Sequence, residues 1–173
     1  MTSWLARLRR ATPDGACTPP PPPPPPSGAA VARSLAVAFE EALALVEAIA
    51  ANWPQDARGA RPYVVCTGGE PLLQLDDVLL GGLHNAGFEV GVETNGTIAA
   101  PAGIDWLCVS PKGDAPLMQR SGDELKLVYP QAEPEAQPEN FVDLDFEYFY
   151  LQPLDDPDRE ENTRRALQYC LEH

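Results

Sequence analysis

Two glycines and a carboxylate follow an apolar run near the middle of this chain, in the segment Tyr-Val-Val-Cys-Thr-Gly-Gly-Glu-Pro over residues 63–71. A short β-branched run that stops at glycine is typical of a strand that ends in a binding loop. Gly68 and Gly69 lack Cβ atoms, so a ligand can approach the backbone closely. Glu70 offers acceptor oxygens to an ammonium group. The alternative is a tight turn before a helix that begins at Pro71, which leaves two consecutive glycines unexplained.

Polar segments follow three other apolar runs, at the point where each run stops. They are Glu93–Thr97, Ser110–Lys112 and Gln152–Asp155. Because ligands bind at the carboxyl ends of strands in parallel sheets and barrels, we expect these segments to line one mouth. There Glu93 could hydrogen-bond a guanidine-like ring edge, and Lys112 could neutralise a ligand carboxylate. The alternatives are an ordinary Asn-Gly turn after Glu93 and a solvated lysine.

Helices and strands must position these loops. Apolar residues at three- and four-residue spacing predict a helix with one apolar face formed by Leu35, Phe39, Leu43, Val46, Ile49 and Trp53. Two more helices are predicted at 72–86 and at 158–172, the last with Leu167 and Leu171 on one face. Strands are predicted at 63–66, 88–92, 106–109, 125–129 and 147–151. This order predicts an α/β fold whose parallel strands are buried on both faces.

Residues 1–34 differ in composition from the rest. Pro19–Pro26 is an unbroken proline run, which adopts an extended polyproline II form and does not enter a packed core. We expect residues 1–34 to be a disordered segment, or the product of a frameshifted or wrongly assigned start, and residues 35–173 to be the folded domain. The alternative is a spacer or a Pro-rich ligand for an SH3-like partner.

Composition restricts the class of protein. A formal net charge of −14 over 173 residues repels phosphate backbones, which argues against a nucleic-acid partner. No apolar run approaches the ~20 residues that span a bilayer, and no signal peptide follows the basic N-terminal residues. The four cysteines are widely spaced without a C-x-x-C pair, which predicts reduced thiols in a cytoplasmic protein. His84 is expected to be a surface or hydrogen-bonded side chain and not a ligand.

Five motifs in order resemble those of the 7-carboxy-7-deazaguanine synthase family of the radical S-adenosylmethionine superfamily. They are Thr67-Gly-Gly-Glu-Pro-Leu-Leu-Gln-Leu-Asp76, Val92-Glu-Thr-Asn-Gly-Thr97, Asp105-Trp-Leu-Cys-Val-Ser-Pro-Lys112, Glu124-Leu-Lys-Leu-Val-Tyr-Pro-Gln131 and Tyr150-Leu-Gln-Pro-Leu-Asp155. The resemblance extends from about Leu43 to the C-terminus. It implies a partial (β/α) barrel and a homodimeric enzyme of queuosine and 7-deazaguanine biosynthesis.

The resemblance also implies a reaction and a set of binding residues. Family members are lyases that convert 6-carboxy-5,6,7,8-tetrahydropterin into 7-carboxy-7-deazaguanine, using S-adenosylmethionine, a [4Fe-4S] cluster and Mg²⁺. By position in the motifs, Thr67 and Glu93 would face the pterin. S-adenosylmethionine would be held by Gly68, Gly69, Glu70, Ser110, Pro111, Lys112, Gln152, Pro153, Leu154 and Asp155. The resemblance assigns no catalytic side chain and no metal ligand to the residues of this chain.

The chain departs from the family pattern in its cysteines. The family's cluster loop carries three cysteines before its first long helix, whereas residues 1–34 contain only Cys17. Cys66 and Cys108 fall in separate predicted strands, too far apart to form a disulfide or to replace the cluster ligands. The chain is expected to be a synthase that lacks both ends and shows no turnover. The alternative is a non-catalytic remnant that binds S-adenosylmethionine weakly at most.

Overall fold

The computed structural model describes residues 28–54, 60–113 and 115–173, with side chains from residue 40 onward within these ranges. Five parallel strands form one sheet in sequence order: β1 (Tyr63–Cys66), β2 (Glu89–Thr94), β3 (Trp106–Val109), β4 (Ser121–Tyr129) and β5 (Asp145–Pro153). The helices are α1 (Gly28–Asn52), α2 (Asp77–Asn85) and α3 (Arg159–Glu172), with short 3-10 helices at Pro71–Leu73, Pro134–Ala136 and Pro138–Asn140. An open parallel sheet whose consecutive strands are neighbours confirms the predicted α/β fold of the partial-barrel type.

The first helix begins earlier than predicted. Helix α1 starts at Gly28, so the expected boundary between residues 34 and 35 falls inside it. The segment that precedes Leu35 contains Ala29, Ala30 and Ala32, and alanine is the strongest helix former. The proline run Pro19–Pro26 lies outside the described residues.

Two other helical predictions need correction. The predicted helix over 72–86 is divided, because Asp76 starts a new helix by accepting a hydrogen bond from the Leu79 amide at 2.9 Å. In α3 the predicted apolar face is wrong, since Leu167 is 62% and Leu171 86% exposed. Helix α3 instead buries Asn162 and Ala166.

The core lies between the helices and one face of the sheet. Its most deeply buried side chains are Leu83, Val90, Val92, Val109 and Leu125. Val46 and Ile49 of α1 and Trp53, just after its end, pack on this core as predicted, and the Trp53 ring meets Phe88 edge-on at 6.0 Å. Leu43 is 43% exposed, so the predicted apolar face of α1 is wrong at that position. None of the helices described combines the length and the hydropathy needed to cross a bilayer.

The strands are not paired equally along the sheet. β4 and β5 pair from Ser121↔Asp145 to Tyr129↔Pro153, over the whole length of both strands. β3 and β4 share only the register pairs Cys108↔Glu124 and Val109↔Leu125. Residues of both halves of the sheet contribute to the cavity described below.

Asp105 joins α2 to the sheet just before β3. Its Oδ2 atom accepts hydrogen bonds from the Val90 amide at 2.7 Å and from His84 Nε2 at 2.9 Å. The Val90 amide, and secondarily the His84 ring, hold the pKa of Asp105 below its ordinary value. His84 is therefore a hydrogen-bonded side chain, as predicted.

We expect Asp105 to contribute to the pH dependence of stability. A carboxylate whose pKa is depressed stabilises the fold above its unfolded-state pKa, about 3.9, and this contribution is lost as the pH falls through the folded-state pKa. Urea unfolding between about pH 7 and pH 2 should therefore show a steeper acid loss in wild type than in Asp105→Asn. Asp143→Asn, at an exposed aspartate, is the control and should follow wild type. Equal slopes for wild type and Asp105→Asn would contradict the expectation.

Candidate functional site

A cavity of about 250 Å³ lies at the carboxyl ends of the strands. All five strands, or the loops that follow them, contribute to its wall. The residues that line it are Thr67, Gly68, Gly69, Glu93, Thr94, Asn95, Ser110, Lys112, Lys126, Val128 and Gln152. The carboxyl end of a parallel sheet is the place where such folds bind ligands. The structure thus brings together seven of the predicted site residues: Thr67, Gly68, Gly69, Glu93, Ser110, Lys112 and Gln152.

The Gly-Gly loop after β1 leaves open space on the cavity side. Gly68 has a φ of +128°, a conformation that residues with a Cβ atom rarely adopt. A Cβ atom built on Gly68 or Gly69 would meet no atom within 4 Å. The loop therefore presents bare backbone in the wall of the cavity, which allows a ligand to approach closely.

Glu93 and Lys126 form an ion pair in the wall of the cavity. Lys126 Nζ donates to Glu93 Oε2 at 3.1 Å, from the neighbouring half of the sheet. Partial burial acts to lower the pKa of Lys126, but the hydrogen bond to Glu93 and the surrounding negative charges outweigh it, so the pKa is raised overall. The Lys126 ammonium group therefore stays protonated beside the Glu93 carboxylate in the cavity wall.

The segment after β3 supplies a second lysine. The Ser110 amide donates to the Thr94 carbonyl at 2.8 Å and fixes this segment against β2. Lys112 Nζ donates to Ser110 Oγ at 2.9 Å, while Pro111 is buried behind them. Because Glu93 pairs with Lys126, Lys112 gives the lining residues one excess positive charge, which favours an anionic group on the ligand.

The Glu70 carboxylate is engaged within the protein. Oε1 accepts hydrogen bonds from the Leu72 amide at 3.0 Å and from Thr94 Oγ1 at 2.7 Å. Oε2 accepts from the Asn95 amide at 2.9 Å. The predicted contact with an ammonium group stays a prediction, and the structure assigns the carboxylate three partners of its own.

The last predicted segment only partly reaches the cavity. Gln152 lies in its wall, and Pro153 is the final residue of β5. The Leu154 amide donates to the Tyr129 carbonyl at 2.8 Å, and Asp155 lies 3.8 Å from Arg159 Nη1 on the surface. Their part in ligand binding stays a prediction.

Thr94 and Asn95 line the cavity as part of the predicted segment Glu93–Thr97, whereas two further residues of its wall, Lys126 and Val128, were not predicted. Lys126 carries a signal in the sequence, because it alternates with Leu125 and Leu127 in a strand and must point to the opposite face.

Buried Asn162, outside the cavity wall, was also not predicted. Its Nδ2 atom donates to the Leu154 carbonyl at 3.1 Å and to Asp156 Oδ1 at 2.8 Å, which anchors the loop after β5.

The described cysteines do not fit an iron–sulfur cluster, which requires thiolates grouped around one site. Cys108 is buried and donates to Glu124 Oε1 at 3.4 Å, and burial together with the Glu124 charge raises its pKa to about 12. Burial also raises the pKa of Cys66, in a strand separated from Cys108 by β2. Within residues 28–54, 60–113 and 115–173 no three His, Cys, Asp or Glu side chains group as a metal site.

Comparison with known proteins reveals close relatives. The chain is 58% identical over 138 residues to 7-carboxy-7-deazaguanine synthase from Caulobacter vibrioides. It is 59% identical over 135 residues to the synthase from Bradyrhizobium diazoefficiens and 56% identical over 135 residues to that from Bordetella pertussis. Each alignment covers 78% of this chain and 62% of the relative, so the chain spans about three fifths of the length of these relatives. No protein-family model matches the chain.

The fold is also similar to a solved structure. The crystal structure of QueE from Escherichia coli superposes with a TM-score of 0.55 at 26% identity. The match covers 77% of this chain and 59% of the other. The partial-barrel fold and the resemblance of the sequence motifs therefore lead to the same group of proteins.

Proposed function

Over the matched residues this chain is a homologue of the 7-carboxy-7-deazaguanine synthases, and on that premise we propose that it carries the S-adenosylmethionine- and pterin-binding part of such a radical S-adenosylmethionine lyase. The observation that supports this proposal is the cavity in which Gly68 and Gly69 face Glu93, Ser110 and Lys112. The proposed substrate is 6-carboxy-5,6,7,8-tetrahydropterin, and the pathway is queuosine and 7-deazaguanine biosynthesis.

Each part of the cavity suits one part of these ligands. The open backbone at Gly68 and Gly69 would contact the methionyl group of S-adenosylmethionine. Lys112 would balance the methionyl carboxylate, and Gln152 would hydrogen-bond the nucleoside. Thr67 and Glu93 would hold the pterin, whose guanidine-like ring edge matches a carboxylate. When bound, S-adenosylmethionine supplies the deoxyadenosyl group that the family uses to abstract a substrate hydrogen.

The described residues do not fit the [4Fe-4S] cluster that the family uses. Cys66 and Cys108 lie in separate strands with β2 between them, and no three candidate ligands group together among the described residues, so these thiols do not form a cluster site near the cavity. We therefore propose that this 173-residue chain binds S-adenosylmethionine without turning over the pterin. The second candidate is a non-catalytic remnant that binds S-adenosylmethionine weakly at most. A cytoplasmic location, a homodimer and a requirement for Mg²⁺ follow from the resemblance alone and are part of the proposal.

Calorimetric titration of the chain with S-adenosylmethionine tests the binding proposal. We expect saturable binding with one site per chain, since the cavity is formed by described residues without a metal. The charge of the ligand should also make binding weaker at high salt, because Lys112 is exposed to solvent. Absence of saturable binding at any salt concentration would contradict the proposal and favour a remnant without a working pocket.

Anaerobic reconstitution with iron and sulfide tests the proposed lack of turnover. We expect no stoichiometric [4Fe-4S] signal by optical or EPR spectroscopy and no release of deoxyadenosine when the pterin is added. A Caulobacter vibrioides synthase treated in the same way is the control for the procedure. Substrate-dependent deoxyadenosine release from this chain would show that it is a complete enzyme.

A further inference from the structure

We propose that Glu70 is a positioning residue, which ties the Gly-Gly loop after β1 to the loop after β2, and that it does not bind the ammonium group of the ligand. The proposal rests on the proposed S-adenosylmethionine site and assigns one of its motif residues a different task. It follows from the hydrogen bonds of the carboxylate, from the burial of its main partner and from the composition of the cavity wall.

The carboxylate connects two separate loops. Within its own loop, Oε1 caps the 3-10 helix Pro71–Leu73 by accepting from the Leu72 amide at 3.0 Å. Across to the next loop, Oε1 accepts from Thr94 Oγ1 at 2.7 Å and Oε2 accepts from the Asn95 amide at 2.9 Å. Three hydrogen bonds use most of the acceptor positions that one carboxylate offers.

The connection extends further into the second loop. Thr94 is only 2% exposed, and its Oγ1 atom accepts from the Gly96 amide at 3.1 Å while donating to Glu70. The Asn95 side chain accepts from the amide and the hydroxyl of Thr97 at 2.8 and 2.6 Å. A buried, satisfied network of this kind fixes backbone geometry, because each broken bond would leave a polar group without a partner.

The position of the network explains its use. Gly68 and Gly69 line one side of the cavity, and Glu93, Thr94 and Asn95 line another. Glu70 is not one of the described residues that line the cavity. The carboxylate therefore sets the spacing of the two sides between which a ligand would lie, and its loss should affect every ligand that contacts both sides.

Two probes separate positioning from direct binding. S-adenosylmethionine carries the α-ammonium group, and S-adenosyl-4-methylthio-2-oxobutanoate is the same sulfonium with a keto group in its place. We expect Glu70→Gln to weaken both probes equally, by about tenfold, the scale of one lost hydrogen bond. Thr94→Val should have a similar effect, and the double variant should be little worse than either single one, since both remove one network.

A matched control variant is available in the next element. Asp76 also caps a helix with its carboxylate, at 2.9 Å from the Leu79 amide, without a hydrogen bond to the loop after β2. Asp76→Asn should leave the affinity for both probes unchanged. If Glu70→Gln weakened S-adenosylmethionine alone while Thr94→Val had no effect, Glu70 would be a direct ligand and the proposal would be wrong.

Amide hydrogen exchange gives a readout that needs no ligand. We expect the Asn95 and Gly96 amides to exchange about tenfold faster in Glu70→Gln than in wild type, with the Val90 amide, which donates to Asp105, as the internal reference. This measurement decides the proposal even if wild type binds neither probe, an outcome that would contradict the proposed function alone. Unchanged exchange at Asn95 and Gly96 would overturn the positioning role.

Discussion

Gly69→Val is expected to abolish measurable binding of S-adenosylmethionine, a loss of at least about tenfold, or about 1.4 kcal/mol. Gly69 has no neighbour within 4 Å of a Cβ position, so the fold has space for the valine side chain. Gly69 lines the cavity, so the valine side chain would take up space beside the proposed ligand. Gly68 is less suitable for this test, because its φ of +128° would add backbone strain to the steric effect. Isothermal titration calorimetry measures the change.

The control for this variant is Gly81→Ala. Gly81 lies in α2, and a Cβ atom there also meets no atom within 4 Å. This substitution should leave binding unchanged and raise stability by about 0.5–1 kcal/mol, because alanine is the better helix former. Normal binding by Gly69→Val, with an unchanged urea midpoint, would place the ligand elsewhere.

Gly96→Ala is expected to destabilise the fold by about 3 kcal/mol. Gly96 has a φ of +77°, which costs a residue with a Cβ atom about 1–2 kcal/mol. The added Cβ would also lie 2.5 Å from Leu117 Cδ1 and 2.7 Å from Val109 Cγ1. Val109 is fully buried, so it cannot move aside, and overpacking of this kind costs about 1–3 kcal/mol. Urea unfolding, with the slope of the transition unchanged, measures the loss.

Gly113→Ala separates the two contributions to this loss. Gly113 also has a positive φ, of +45°, but a Cβ atom there meets no atom within 4 Å. Its substitution should cost only the conformational part, about 1–2 kcal/mol or less. Equal losses for the variants at 96 and 113 would show that packing against Val109 does not contribute.

The sequence is a good guide to elements whose apolar runs stop at polar or glycine residues. β1 and β3 have the predicted bounds, since Thr67 and Ser110 follow their last apolar residues directly. β4 is longer than predicted, because Ser121–Glu124 pairs with β5 although it contains no apolar residue, and β5 also extends beyond its predicted bounds at both ends. Backbone pairing of this kind leaves no pattern in the side chains.

The same distinction applies to the cavity. Glycines and charged residues directly after apolar runs, such as Gly69 and Lys112, are found in the cavity wall as predicted. Lys126 and Val128 were missed because they lie inside β4, where only the alternation of side chains between the two faces of the sheet distinguishes them. The hydrogen-bonding of Glu70 depends on how close the β1 and β2 loops lie, which the sequence does not specify.

The short register between β3 and β4 has a consequence for cooperativity. Two register pairs, the side-chain hydrogen bonds from β3 to Asp123 and Glu124, and the Glu93–Lys126 ion pair join the half of the sheet that carries Gly69 to the half that carries Gln152. A molecule bound in the cavity would contact both halves, so its binding free energy would add to their association. Separation of β3 from β4 by partial unfolding would release the bound molecule. A saturating concentration of this molecule would therefore make the two halves of the sheet unfold together. The fraction of cavities that hold a ligand and the cooperativity of unfolding would then both report how firmly β3 is held to β4.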